Sequence, residues 1–130
     1  MSFQSIYSGK SILITGHSGF KGSWLSLWLK SLEANLTGYA LPPSNPSLFR
    51  LANVADGIQS TVGDVRDLDC IKSFLQEHSP EIVIHMAAQA LVVKSHEMPH
   101  ETYTTNVLGT LNILEAVRQT NSVKVLLIIT

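Results

Sequence analysis

The sequence has 130 residues, of which 45% are hydrophobic and 15% charged, so it has the size and composition of one globular domain. Its formal net charge of −1 gives no basic surface for nucleic acid or an anionic membrane, and no apolar run approaches the length of a membrane span. The N-terminus lacks the pattern of a secretory signal. Cys70 is the only cysteine, which excludes an intramolecular disulfide and favours a cytoplasmic protein.

The first half of the chain alternates short apolar runs with helical patterns. Ser11–Thr15 predicts a buried strand, and Lys21–Leu32 predicts a helix with a wide apolar stripe. Asn35–Ala40 predicts a second strand, which the following prolines end. Ser47–Leu51 predicts one helical turn, and Ile58–Val62 predicts a third strand.

The second half repeats this alternation. Asp67 is a good N-cap for a helix that continues to Pro80, and Glu81–Ala87 predicts a fourth strand. Pro99 predicts the first turn of a long helix reaching about Gln119, and Val123–Ile129 predicts a fifth strand. The core-facing positions of the long helix are predicted to be Tyr103, Val107, Leu111, Leu114 and Val117. This alternation of strands and helices predicts an α/β fold with a doubly wound parallel sheet.

A glycine-rich turn connects the first predicted strand to the first helix. Gly16, Gly19 and Gly22 have the spacing G-x-x-G-x-x-G. The first glycine permits a tight turn, the second lets a pyrophosphate approach the backbone, and the third lets the helix pack closely on the sheet. In this strand–turn–helix context the motif predicts a dinucleotide site of the Rossmann type.

Two further positions bear on the cofactor. The usual acid at the end of the second strand, which binds the adenosine ribose, is replaced here by Tyr39-Ala40. No basic residue takes that place, although Arg50 lies in the following loop, so the choice between NAD and NADP stays open. Asp64 follows the third strand, and its carboxylate either accepts the adenine amino group or serves as a second cap of the next helix.

Some motif matches carry no function. His96-Glu97-Met98-Pro99-His100 matches a zinc-protease string, but that site needs a continuous helix, which Pro99 interrupts. We therefore expect no metal site. Among the other histidines, His17 in the glycine turn is a candidate neighbour of the cofactor, whereas His85 in the fourth strand is expected to be a hydrogen-bonded core residue.

Several strings together resemble the extended short-chain dehydrogenase/reductase family. They are Thr15-Gly16-x-x-Gly19-Phe20-x-Gly22, Gly63-Asp64-Val65-Arg66-Asp67, His85-Met86-Ala87-Ala88-Gln89 and Thr105-Asn106-Val107-x-Gly109-Thr110. Longer strings, such as GHSGFKGSWLSLWL and TGYALPPSNPSLF, are similar to the sugar-nucleotide 4,6-dehydratases of that family, and in particular to those that act on CDP-glucose.

The resemblance implies a lyase that holds NAD as a recycled oxidant, takes a nucleotide sugar such as CDP-glucose, forms homo-oligomers and supplies sugars for bacterial surface polysaccharide such as lipopolysaccharide. It implies that Asn106 braces the loop after the fourth strand. It also implies a cofactor site whose members contact the pyrophosphate, the adenine, and the ribose and nicotinamide. These residues are Gly16, Ser18, Gly19, Phe20, Lys21 and Gly22 in the turn, Asp64 and Val65 at the adenine, and Ala87, Ala88 and Gln89 at the nicotinamide side.

The resemblance also implies that catalytic residues lie elsewhere. The family's Y-x-x-x-K pair is absent, because Tyr7, Tyr39 and Tyr103 are not followed by lysine four residues later. We therefore expect residues 1–130 to be a partial NAD-binding domain, cut after about the fifth strand, without catalytic residues and without the substrate domain. An apolar edge left by such a cut predicts a tendency to associate.

Two other functions remain open on the sequence alone. The first is a different enzyme of the same family, such as a UDP-hexose 4-epimerase. The second is a stand-alone module that senses dinucleotides and performs no chemistry.

Overall fold

A computed structural model describes residues 3–130. Residues 1 and 2, which belong to the N-terminal segment predicted to lack a secretory signal, lie outside the described range. The strands are β1 (Ser11–Thr15), β2 (Asn35–Ala40), β3 (Gln59–Val62), β4 (Ile82–His85) and β5 (Val125–Ile128). The helices are α1 (Phe3–Tyr7), α2 (Phe20–Ser31), α3 (Leu48–Leu51), α4 (Leu68–His78), α5 (Val92–Glu97), α6 (Pro99–Tyr103) and α7 (Gly109–Arg118), with a π-helical turn at Thr104–Leu108 between the last two.

The five strands form one parallel sheet in the order β3-β2-β1-β4-β5. The chain moves outward from β1 to β3 on one side and then returns to place β4 on the other side of β1. The order of the strands therefore reverses between β1 and β4, which is where ligands bind in open α/β sheets. This arrangement confirms the predicted doubly wound α/β fold.

Each face of the sheet has its own apolar cluster. On one face, Leu13 and Val83 of the sheet pack with residues of α4 and α7, among them Ile71 and Ile113. On the opposite face, Ile12, Ile14 and Ile84 pack with Leu29 of α2. Because strand side chains alternate between the faces, the near-continuous apolar runs β1 and β4 supply both clusters.

The predicted core-facing stripe of the long helix is mostly wrong. Four of its members, Tyr103, Val107, Leu111 and Leu114, are 45–70% exposed. The buried positions of α7 are Gly109, Ile113 and Ala116, and of the predicted set only Val117 packs against the core. At Gly109 the helix lies so close to its neighbours that only glycine fits, since a Cβ there would lie 2.6 Å from Val65 Cγ2.

Smaller differences concern the limits of elements. Strands β3, β4 and β5 are each shorter than predicted, α1 and α5 were not predicted, and the predicted long helix contains the π-helical turn. The predicted cap of α4 is confirmed, since Asp67 accepts a hydrogen bond from Cys70 N. Within residues 3–130 no helix has both the length and the apolar character needed to cross a bilayer.

Candidate dinucleotide site

A pocket lies at the carboxyl ends of the strands, where the strand order reverses. Its walls come from the turn after β1, the ends of β2 and β3, the loop after β4, and the π-helical turn. The lining residues are Gly16, Ser18, Gly19, Ala40, Leu41, Gly63, Asp64, Val65, Met86, Ala87, Ala88 and Thr105. This position is the one at which open α/β sheets bind nucleotides.

The glycine turn forms the floor of this pocket. Gly16 has a φ of +76°, which only glycine adopts without strain. A Cβ on Gly16 would lie 2.8 Å from Ala87 N, so the turn and the loop after β4 pack backbone against backbone. A Cβ on Gly22 would lie 2.1 Å from Gly16 O. Gly22 therefore serves the packing of α2 under the turn, as predicted.

The N-terminus of α2 is open to an anion. Gly19 is its N-cap and offers no side chain to the first N–H groups, and the first turn carries no acid. These N–H groups have no acceptor within a helix and sit at its positive end. At α4, by contrast, the Asp67 carboxylate already occupies the N-terminus. A Cβ on Gly19 would meet only Gly16 O, at 3.3 Å, so the space above Gly19 is open and fits a pyrophosphate.

Asp64 is held as a carboxylate at the edge of the pocket. Arg66 Nε lies 3.0 Å from both of its carboxylate oxygens, and Arg66 N donates to Oδ1 at 2.9 Å. The guanidinium keeps the pKa of Asp64 below its usual range. The backbone N–H that donates to the Asp64 carboxylate is that of Arg66, which precedes α4, so the structure shows no bond from Asp64 to the N-terminus of that helix. Asp64 and Val65 both line the pocket, so this carboxylate is a hydrogen-bond acceptor in the pocket wall.

The loop after β4 is fixed at both ends. Thr15 Oγ1 accepts hydrogen bonds from Met86 N at 3.1 Å and Ala87 N at 3.2 Å. The Asn106 side chain accepts from Gln89 N at 2.8 Å and donates to Gln89 O at 3.0 Å. The bracing role expected for Asn106 is therefore confirmed. The π-helical turn places Asn106 opposite this loop and Thr105 in the pocket wall.

The structure brings together seven of the eleven residues that the sequence suggested for the cofactor. These seven are Gly16, Ser18, Gly19, Asp64, Val65, Ala87 and Ala88. The other four lie next to the pocket: Gly22 is buried beneath the turn, Phe20 and Lys21 are exposed on α2, and Gln89 is bonded to Asn106 and Thr102.

His17 does not line the pocket. Its side chain is 2% exposed, its Nε2 lies 2.7 Å from Ser60 Oγ, and its ring packs edge-on against Phe49. Burial lowers the pKa of His17 to about 4, with a smaller opposing effect from the Tyr39 backbone. The ring occupies the space above Gly38, where a Cβ would lie 2.3 Å from it. Its role as a neighbour of the cofactor is thus corrected to one of packing.

Five lining residues were not suggested by the sequence: Ala40, Leu41, Gly63, Met86 and Thr105. Four of them follow or end a strand, and the rule that ligands bind at strand carboxyl ends could have identified them. Thr105 had no such signal, because only the folded chain brings the π-helical turn to the pocket. The zinc-protease string is interrupted as predicted, since α5 ends at Glu97 and α6 begins at Pro99.

Comparisons with known proteins agree with this geometry. The chain is 48% identical to a CDP-glucose 4,6-dehydratase from Salmonella typhimurium over 98% of this chain and 36% of that protein. It is 38% identical to a dTDP-glucose 4,6-dehydratase from Xanthomonas campestris pv. campestris over 82% of this chain and 31% of that protein. The structure resembles UDP-glucose 4-epimerase from Brucella ovis in complex with NAD, with a TM-score of 0.76, 27% identity, and coverage of 90% of this chain and 34% of that one.

The chain spans about a third of the length of these relatives. A family model described as GDP-mannose 4,6-dehydratase matches residues 13–130. The match therefore includes the last three residues of β1, the other four strands and every residue that lines the pocket. The resemblance to sugar-nucleotide dehydratases seen in the sequence motifs is confirmed, and the chain belongs to the GDP-mannose 4,6-dehydratase family.

Proposed function

We propose that this chain is the NAD-binding portion of a CDP-glucose 4,6-dehydratase. The observation that carries the proposal is the pocket at the carboxyl ends of the strands, in which an uncapped helix N-terminus faces the open space above Gly19. The 48% identity to a CDP-glucose 4,6-dehydratase over nearly the whole chain supports this substrate. The solved epimerase with NAD supports NAD as the dinucleotide.

The residues divide the dinucleotide between them. Gly16, Gly19 and the first turn of α2 would bind the pyrophosphate with backbone N–H groups. Asp64 and Val65 would hold the adenine, with the carboxylate accepting its amino group. Ala87 and Ala88 would border the ribose and nicotinamide, because the loop after β4 is fixed against Thr15 and Asn106. Phe20, Lys21 and Gln89 stay predictions as cofactor contacts.

The nicotinamide supplies a reversible hydride acceptor when it is bound. The overall reaction of the whole protein would convert CDP-glucose to CDP-4-keto-6-deoxyglucose by oxidation at C4, loss of water from C5 and C6, and return of the hydride to C6. The residues of this chain would orient the dinucleotide and exclude water from its nicotinamide side. The acid–base residues would come from outside residues 1–130, since this range holds no Y-x-x-x-K. The proposal therefore includes that residues 1–130 form only part of the NAD-binding domain and that a separate domain binds the substrate.

Calorimetric titration with NAD⁺, NADP⁺ and CDP-glucose tests the proposal. We expect binding of NAD⁺, no comparable binding of CDP-glucose, and loss of NAD⁺ binding in the Gly19→Ala variant, whose methyl group would occupy the phosphate space. Gln76→Ala is the control, because Gln76 is exposed on α4 and lies outside the pocket. Equal NAD⁺ affinities of the Gly19→Ala variant and the wild type would refute the site.

Product analysis separates this function from the alternatives. Incubation of the full-length protein with CDP-glucose should give a 4-keto-6-deoxy sugar nucleotide. A change of configuration at C4 of a UDP-hexose, with no loss of water, would instead support the epimerase that the similarity to the Brucella ovis structure suggests. Binding of NAD⁺ by a natural gene product that ends near Thr130 would support the dinucleotide-sensing module.

We also propose that the whole protein is a homo-oligomer. The exposed stripe Tyr103, Val107, Leu111 and Leu114 lies along one side of the helical segment that contains α6 and α7. Such a contiguous apolar surface is typical of a contact with another protein surface. The Leu111→Glu substitution should shift the full-length protein to a smaller species in size-exclusion chromatography, whereas an unchanged elution volume would count against this face.

A further inference from the structure

A buried histidine links the loop after β4 to the π-helical turn. His85 is 2% exposed and lies at the end of β4, beside Thr15 at the end of β1. Its Nδ1 lies 2.6 Å from Thr15 Oγ1, and its Nε2 lies 3.1 Å from Thr110 Oγ1. The two ring nitrogens therefore bond in opposite directions, one to the sheet and one to α7.

The neighbouring bonds determine where each proton lies. Thr15 Oγ1 already accepts from Met86 N and Ala87 N, so its own hydrogen is free to be donated to His85 Nδ1. Thr110 Oγ1 donates to Asn106 O at 2.7 Å, so it must accept from His85. Only the neutral ring with its proton on Nε2 satisfies both ends, since a hydroxyl has one hydrogen to donate.

This chain of hydrogen bonds joins the two segments that enclose the nicotinamide side of the pocket. One end fixes the N–H groups of Met86 and Ala87, and the other end fixes the carbonyl of Asn106. The Asn106 side chain bonds in turn to Gln89, at the far end of the same loop. The loop is therefore tied to the sheet and the helix through one closed network.

We propose that His85, as the neutral ring protonated on Nε2, is a positioning residue that fixes the loop Met86–Gln89 for the dinucleotide through Thr15 and Thr110. This inference rests on the proposed NAD site. Burial also lowers the pKa of His85, and no charged group contributes to that shift. A ring that stays neutral near pH 7 is what the network requires.

The first test reads the proton position directly in the protein without any ligand. Long-range ¹H–¹⁵N correlation spectra should show His85 near pH 7 as the neutral form with Nε2 protonated and Nδ1 unprotonated. A proton on Nδ1, or a charged ring, would overturn the proposal. This measurement does not depend on NAD binding, so it separates a failure of the inference from a failure of the proposed function.

The second test compares Thr110→Val with Thr110→Ser. Valine keeps the shape but cannot accept from His85, whereas serine retains the hydroxyl. Thr110→Val removes the hydrogen bonds of Thr110 Oγ1 to both His85 and Asn106. We therefore expect it to speed amide hydrogen exchange at Ala87 and Gln89 and to weaken NAD⁺ binding by at least about threefold. Thr110→Ser should restore both.

The outcomes are distinguishable. If wild-type protein does not bind NAD⁺, the proposed function fails, while the exchange rates and the proton position still test the network. If wild-type protein binds NAD⁺ and Thr110→Val changes neither the exchange rates nor the affinity, the positioning role of His85 is refuted. If Thr110→Val does not fold, the proton position in the wild type decides.

Discussion

Replacing Gly22 by alanine should destabilise the fold, because the added methyl group meets main-chain atoms that cannot rotate away. The new Cβ would lie 2.1 Å from Gly16 O and 2.8 Å from both Gly16 C and His17 Cα. Ordinary contact begins at 3.4 Å, so the first turn of α2 and the glycine turn would have to separate by about 1.3 Å. The separation would also disturb the contact of Leu29 with the sheet.

The expected loss follows from two opposing effects. Forcing an extra methyl group into a packed interior costs about 1–3 kcal/mol, and the rigid backbone on both sides puts this case at the upper end. Alanine within a helix gains about 1 kcal/mol over glycine. The net loss in the free energy of unfolding should therefore be about 2 kcal/mol. For a domain of this size that corresponds to a fall in Tm of roughly 8 °C.

Urea unfolding followed by circular dichroism measures this loss, and Gly19→Ala is the matched control in the same turn. Its Cβ would meet only one atom, at 3.3 Å, and its φ of −74° suits any residue. We expect the control to lose less than about 1 kcal/mol, because alanine is a poorer N-cap than glycine and its methyl group makes one close contact. If Gly22→Ala were as stable as Gly19→Ala, α2 could move off the turn without cost and the packing role of Gly22 would be refuted.

Three further predictions concern residues outside the pocket. Gly38→Ala should lower the free energy of unfolding by about 1–3 kcal/mol, because its Cβ would lie 2.3 Å from the His17 ring and would break the hydrogen bond of that ring to Ser60. Urea unfolding measures this loss, and a stability equal to that of the wild type would show that the ring can move aside. The pKa of His17 is about 4 in the folded protein and about 6.5 in the unfolded chain, so between these pH values only the unfolded chain binds the proton. The free energy of unfolding should therefore be unaffected by His17 above pH 6.5 and fall by up to about 3 kcal/mol as the pH drops towards 4. Denaturant unfolding from pH 7 to 4 should show a smaller pH dependence in His17→Asn, and equal pH dependence in both proteins would contradict the assignment. Asp67→Ala should lower Tm because Cys70 N loses its acceptor, whereas Asp67→Asn keeps an acceptor oxygen and should have a Tm close to that of the wild type. Thermal unfolding measures both, and equal Tm values for the two variants would argue against the cap.

The sequence alone determined the class of fold and the centre of the site. Strand positions followed from short apolar runs, because a strand buried on both faces must be apolar at nearly every residue. The glycine turn was recognisable because the motif has glycine at positions where a side chain would collide with nearby backbone or with a phosphate. The structure shows such a collision with backbone atoms at Gly16 and Gly22. Asp67 was identified as a cap for the same reason, since capping involves only neighbours in the chain.

Only the tertiary structure decided which side of the long helix faces the core and which distant residues reach the pocket. The large apolar residues of the long helix, such as Leu111, predicted a core-facing stripe that is exposed in the structure. Gly109 instead faces the core, because α7 approaches Val65 too closely for a larger residue at that position. The sequence also could not show that the side chain of His17 turns away from the site or that Thr105 turns towards it. These outcomes depend on contacts between segments far apart in the chain, where the space left by one backbone decides which side chain can fill it.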